Sequence, residues 1–86
     1  MRRYAYRLEP LAERFMKKLS DPGLAARLWN AIRALCVNPH PPGSKKLRGC
    51  PGYRVRVGNY RIIYEVHGAE VLILVLDIGD RKEIYR

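Results

Sequence analysis

A chain of 86 residues has room for one hydrophobic core, since at this length folding buries only roughly 60 to 65% of the extended surface, so residues 1–86 are expected to form a single domain. With 17 Lys and Arg against 8 Asp and Glu, the formal charge of +9 calls for a polyanionic partner. Nucleic acid fits best, because the basic residues are spread along the chain rather than gathered on one amphipathic helix as in a membrane-surface binder, and an acidic protein is the other option.

Tyr4 to Leu8 alternates aromatic with small or basic residues and stops at Glu9-Pro10, the pattern of a short first strand. A helix then begins at Pro10, its apolar stripe of Leu11, Phe15 and Leu19 lying opposite Glu13, Arg14, Lys17 and Lys18. Ser20-Asp21-Pro22 ends it and starts a second helix, with Asp21 as N-cap, Pro22 in the first turn and the stripe Leu24, Leu28, Ile32 and Leu35. This helix closes at Asn38-Pro39, because proline disfavours the α conformation in the residue before it. The two helices are expected to form an antiparallel hairpin. Pro39 to Gly52, with four prolines and three glycines, predicts a loop.

Three strands follow, Tyr53 to Val57, Tyr60 to His67 and Val71 to Ile78, separated by Gly58-Asn59 and Gly68-Ala69 as two-residue hairpin loops. The fold class is therefore α+β: a strand, a helical hairpin and a three-stranded antiparallel meander, with one sheet packed on the helices. The place of the first strand in that sheet is left open. Cys36 and Cys50 have neither zinc nor redox-motif spacing, so no metal or other cofactor is expected. The N-terminus lacks a signal peptide's apolar stretch, and the longest apolar run, Val71 to Leu76, is too short to span a bilayer. A cytoplasmic protein without a membrane partner is expected.

The first hairpin carries the functional reading. A two-residue loop at Gly58-Asn59 pairs Val57 with Tyr60, Arg56 with Arg61, Val55 with Ile62, Arg54 with Ile63 and Tyr53 with Tyr64. One face is then apolar, and Arg54, Arg56 and Arg61 converge on the other. Like charges facing each other across a sheet cost from a few tenths of a kcal/mol to about 1, which favours an anion at that spot. The plainer possibility is a solvated face whose arginine stems cover Ile63 and Leu74.

Lys46-Leu47-Arg48-Gly49-Cys50-Pro51-Gly52-Tyr53-Arg54-Val55-Arg56-Val57-Gly58-Asn59-Tyr60-Arg61-Ile62-Ile63-Tyr64-Glu65 closely resembles the central stretch of the RelE/ParE toxin superfamily, and Ile78-Gly79-Asp80-Arg81-Lys82-Glu83-Ile84-Tyr85-Arg86 resembles its C-terminal motif. The resemblance implies the toxin of a type II toxin-antitoxin pair. It further implies ribosome-dependent cleavage of messenger RNA in the A site, by attack of the ribose 2′-hydroxyl on the adjacent phosphate, and neutralisation by a cognate antitoxin, expected here to be acidic.

By the same resemblance Arg54 and Arg56 match a catalytic basic pair, often lysine in relatives, and Arg61 and Arg81 match arginines that contact the scissile phosphate. Tyr85 matches an aromatic residue beside the substrate base. Asp80 stands where many relatives have histidine, as a candidate for proton transfer or as an ion-pair partner of Arg81 or Lys82. Lys45, Lys46 and Arg48 are expected to contact ribosomal RNA phosphates. His40 and His67 are expected to be bystanders. The rival readings are a ParE-like inhibitor of DNA gyrase and a non-enzymatic nucleic-acid-binding module.

Overall fold

A computed structural model describes residues 3–80. Strand β1 (Ala5–Leu8) leads into helix α1 (Pro10–Lys18) and helix α2 (Pro22–Val37); strands β2 (Lys45–Lys46), β3 (Tyr53–Val57), β4 (Tyr60–His67) and β5 (Leu72–Asp80) follow. They form one five-stranded sheet in the order β1-β5-β4-β3-β2.

Local chemistry sets the helix ends. Pro10 occupies the first turn of α1, and the Glu9 amide beside it donates to the Val75 carbonyl at 2.8 Å, which ties the helix start to the sheet. Asp21 caps α2 as expected, its carboxylate accepting from the Leu24 amide at 3.1 Å. At the other end the α2 backbone holds β1 through the Tyr4 amide, which donates to the Cys36 carbonyl at 2.8 Å.

The α2 stripe meets one face of the sheet, whereas α1 with its C-cap turns Ala12, Phe15, Met16 and Leu19 toward it and leaves Leu11, expected in its stripe, 58% exposed. Leu28, Ile32 and Leu35 from α2 and Ala12 from α1 pack on Ile62, Tyr64, Ile73, Val75 and Ile78, all at 3% exposure or less. The Tyr64 phenol finds its partner inside, donating to the Pro39 carbonyl at 2.7 Å, and its ring stacks on Tyr53 with centroids 5.8 Å apart. Burial pushes its pKa up from the usual 10.0 and outweighs the opposing hydrogen bond from Ser44. The Cys36 thiol is raised by burial too, against the pull of Arg3, and both cysteines are free. No helix is long and apolar enough to cross a membrane among the described residues.

The first hairpin has the register expected from Gly58-Asn59, from Val57 with Tyr60 through Tyr53 with Tyr64. Gly58 suits the turn because its φ is +60°, a backbone region that L side chains rarely adopt.

Two features differ from the expectation, and a third fills the place left open for the first strand. Lys45 and Lys46 leave the proline-rich loop to pair with Arg54 and Tyr53, adding a fifth strand at one edge. The β4–β5 connection is not a two-residue loop: the chain passes through a 3-10 turn at Gly68–Glu70 and through Val71 at φ 51° and ψ 51° before β5 begins. Pairing therefore starts at His67 with Leu72, a shift of two residues that leaves Leu72 to Val75 on the faces a two-residue loop would give them. Finally, β1 lies parallel to β5 and makes the other edge, a pairing that becomes possible because the helices carry the chain back across the sheet.

Candidate functional site: a cationic sheet face

Alternation along β3 and β4 sends Arg54, Arg56 and Arg61 to the face away from the helices, and the registers arrange that face in rows. One row reads Lys45, Arg54, Ile63 and Asp77 across β2, β3, β4 and β5, and the next reads Arg56, Arg61 and Gly79. Three arginines and a lysine from three strands thus lie side by side.

The cations differ in setting. Arg61 is only 8% exposed, whereas Arg54 is half-buried and Arg56 is exposed. Gly79 opposite Arg61 adds no side chain to the row, which leaves room for the guanidinium to lie down in the face. Lys45, Arg54 and Arg56, with Gly43, line a cavity of about 240 Å³. Larger depressions exist elsewhere, such as a groove of about 430 Å³ bounded by Tyr6, Leu8, Met16 and Trp29, but its charged residues, Arg7, Lys17 and Glu13, are of mixed sign. For a polyanion the smaller cavity is the better seat, because guanidinium groups held in a rigid sheet bind phosphate oxygens bidentately with little loss of side-chain freedom.

The other expected residues divide. Lys46, next to Lys45 in sequence, falls on the opposite side of the sheet edge and holds its ammonium 5.3 Å from the centroid of the Tyr53 ring. Arg48 is exposed in the turn between β2 and β3. Asp80 pairs in register with Tyr60, on the side of the helices rather than of the arginines. Arg81 and Tyr85 lie outside the described residues. His40 sits edge-on to Tyr53 at 4.9 Å, and His67 pairs with Glu65 at 2.8 Å. Both are accounted for by these contacts.

Two participants were not read from the sequence. Gly43 reaches the cavity because of the short β2 pairing. Asp77 reaches the arginine face through a bulge in β5: Tyr64 pairs with Val75 but Ile63 pairs with Asp77, so Leu76 has no opposite number. A lone carboxylate in the apolar run Val71 to Ile78 was the available signal.

Comparison with known proteins places the fold and the family. Residues 6–85 match the family model described as the ParE toxin of the type II toxin-antitoxin system parDE. A putative RelE-like toxin protein from Escherichia coli is 30% identical, the alignment covering 96% of this chain and 90% of the relative. Among solved structures, the toxin-antitoxin complex RelBE2 from Mycobacterium tuberculosis superposes with a TM-score of 0.78 at 26% identity, over 92% of this chain and 99% of that one. The archaeal RelE-RelB complex from Pyrococcus horikoshii gives a TM-score of 0.78 at 25% identity, over 91% and 94%. With a cationic face on a helix-backed sheet and similarity along nearly its whole length, the chain belongs to the RelE/ParE superfamily of type II toxin-antitoxin toxins.

Proposed function

We propose that this toxin is a ribosome-dependent endoribonuclease of the RelE type, cutting messenger RNA in the A site. The observation that carries this reading is the convergence of Lys45, Arg54, Arg56 and Arg61 on the face away from the helices. Such a set suits phosphoryl transfer. In-line attack of the 2′-hydroxyl gathers charge on the phosphorane, and fixed guanidinium groups stabilise that charge more than they stabilise the ground-state diester. Arg61, the most enclosed of them, acts in the least aqueous surroundings, where such a contact is worth most.

Arg81 and Tyr85 complete the site in this proposal, Arg81 on the scissile phosphate and Tyr85 stacked on a base. Lys45 and Arg48 hold ribosomal RNA phosphates, and Lys46 contributes only such charge as its contact with Tyr53 leaves available. Asp80 is retained as an ion-pair partner on the helix side. The same basic face is the seat of a cognate acidic antitoxin, laid over the arginines as an amphipathic helix and excluding RNA by covering them. The solved complexes of RelE with RelB from Mycobacterium tuberculosis and Pyrococcus horikoshii support a paired antitoxin.

No arginine can act as a general base, and a protein this small presents few groups to align a flexible RNA. The ribosome supplies that alignment by holding the message near its attack geometry. Purified toxin should therefore cut message on programmed ribosomes and leave the same naked transcript largely intact. Equal cutting of both contradicts the positioning role. The match to a ParE model favours inhibition of DNA gyrase as the second reading; it gains ground if neither RNA is cut and DNA supercoiling stops.

A further inference from the structure

The β5 bulge gives one more residue a place in the chemistry. Ile73 and Val75 are fully buried against the helices, so unbroken alternation would turn Asp77 into the core and Ile78 out of it. The unpaired Leu76 reverses this. Asp77 falls opposite Ile63 on the arginine face, and Ile78 falls opposite Ile62 in the core at 3% exposure. Bulges of this kind re-aim side chains beside active sites.

On that face Asp77 shares a row with Arg54 and Lys45 and stands diagonal to Arg61, whose direct partner is Gly79. Diagonal neighbours sit about 7 to 8 Å apart, a gap that long side chains and a bound nucleotide can bridge. Among the described residues the other charged groups of the face are Arg56 on β3, Arg7 on β1, and Glu65 and His67 on β4. Glu65 and His67 are paired with each other, and the remaining groups are guanidinium or ammonium. One Asp77 oxygen, Oδ1, accepts from the Ile78 amide at 2.9 Å, which orients the carboxylate and, among the described residues, leaves the second oxygen for another proton.

We propose that Asp77 is the proton acceptor for the attacking 2′-hydroxyl, an inference that rests on the ribonuclease reading above. The proton passes from O2′ to the free Asp77 oxygen as the O2′–P bond forms. The P–O5′ bond then breaks, the departing 5′-oxygen takes a proton from water, and the products are a 2′,3′-cyclic phosphate and a 5′-hydroxyl. The arginines carry the phosphorane charge throughout, which relieves them of the proton transfer their chemistry disfavours.

Single-turnover cleavage on programmed ribosomes, followed from mildly acidic to neutral pH, tests this. Asp77→Asn keeps the volume and the acceptor for the Ile78 amide, and Asp77→Ser is a smaller second variant should the first melt early. The expected result is a rate lower by about 100-fold or more at neutral pH, as for loss of a general base, with ribosome affinity unchanged. Wild type should slow toward acid, as a reaction that needs a deprotonated base does, and the variant should lose that dependence. A variant that cuts at the wild-type rate, or more slowly but with the wild-type pH profile, overturns the proposal. If wild type itself cuts nothing on ribosomes, the ribonuclease reading falls first and takes this proposal with it.

Discussion

Arg61→Ala should lower the single-turnover cleavage rate on programmed ribosomes by about two to three orders of magnitude, as loss of one charge-stabilising donor does, equivalent to about 2.7 to 4 kcal/mol. Ribosome affinity should change little, because an interaction made chiefly in the transition state is lost from the rate and not from ground-state binding. Arg61 is singled out from its neighbours by enclosure: at 8% exposure it has little water to compete with a phosphorane oxygen, whereas Arg56 across the hairpin is exposed. Arg61→Lys restores the charge without the fork, so it should recover only part of the rate. Lys45→Ala, in the cavity that Arg54 and Arg56 line, should behave in the opposite sense, weakening binding and its salt dependence by roughly one phosphate contact. Rates at saturation and ribosome pelleting across a salt series separate the two effects. Normal cutting by Arg61→Ala would remove the arginine face from the chemistry.

The largest effect on stability is expected at Tyr64. Tyr64→Ala should cost about 3 to 5 kcal/mol, the range for removing a buried aromatic ring. Its ring is fully buried between the helices and the stacked Tyr53, and truncation also strips the Pro39 carbonyl of its 2.7 Å donor, loosening the start of the loop that carries Lys45. For a domain of this size, whose stability falls near the low end of the usual 5 to 15 kcal/mol or so, that loss is close to unfolding. Tyr64→Phe keeps the ring and should cost only about 1 kcal/mol. Urea denaturation of the three proteins gives the ordering directly. The phenol adds a pH signature. Because burial raises its folded pKa above the unfolded 10.0, its contribution is complete below that pH and is lost as pH rises through the folded value. Tyr64→Phe should lose that part of the alkaline sensitivity.

Local signals in the sequence were sufficient for the helices and the first hairpin. Asp21 and Pro22 announce the start of α2, and Gly58-Asn59 fixes the β3–β4 register residue by residue, which is enough to gather Arg54, Arg56 and Arg61 on one face. In the β4–β5 connection Gly68-Ala69 looks like a two-residue loop, while the chain instead spends four residues on the turn and sets Val71, a β-branched residue, at positive φ. Pairings that depend on distant chain were not legible. Lys45–Lys46 is too short to show alternation, and the place of β1 is decided by which sheet edge the helices leave open. Asp77 is the instructive miss. A run such as Val71 to Ile78 reads as a uniformly buried strand, and only the bulge at Leu76, set by the conflict between burying Asp77 and burying Ile78, reveals which side the carboxylate takes.

The ribonuclease reading is tested most directly by mapping RNA ends in cells that express the toxin without its antitoxin, on a reporter message and on the same message with its start codon destroyed. New 5′ ends should appear within the reading frame of the translated message and disappear when translation is abolished. Identical ends on both messages would contradict dependence on the ribosome, and intact messages in growth-arrested cells with broken or unsupercoiled DNA would transfer the toxin's target from the ribosome to gyrase.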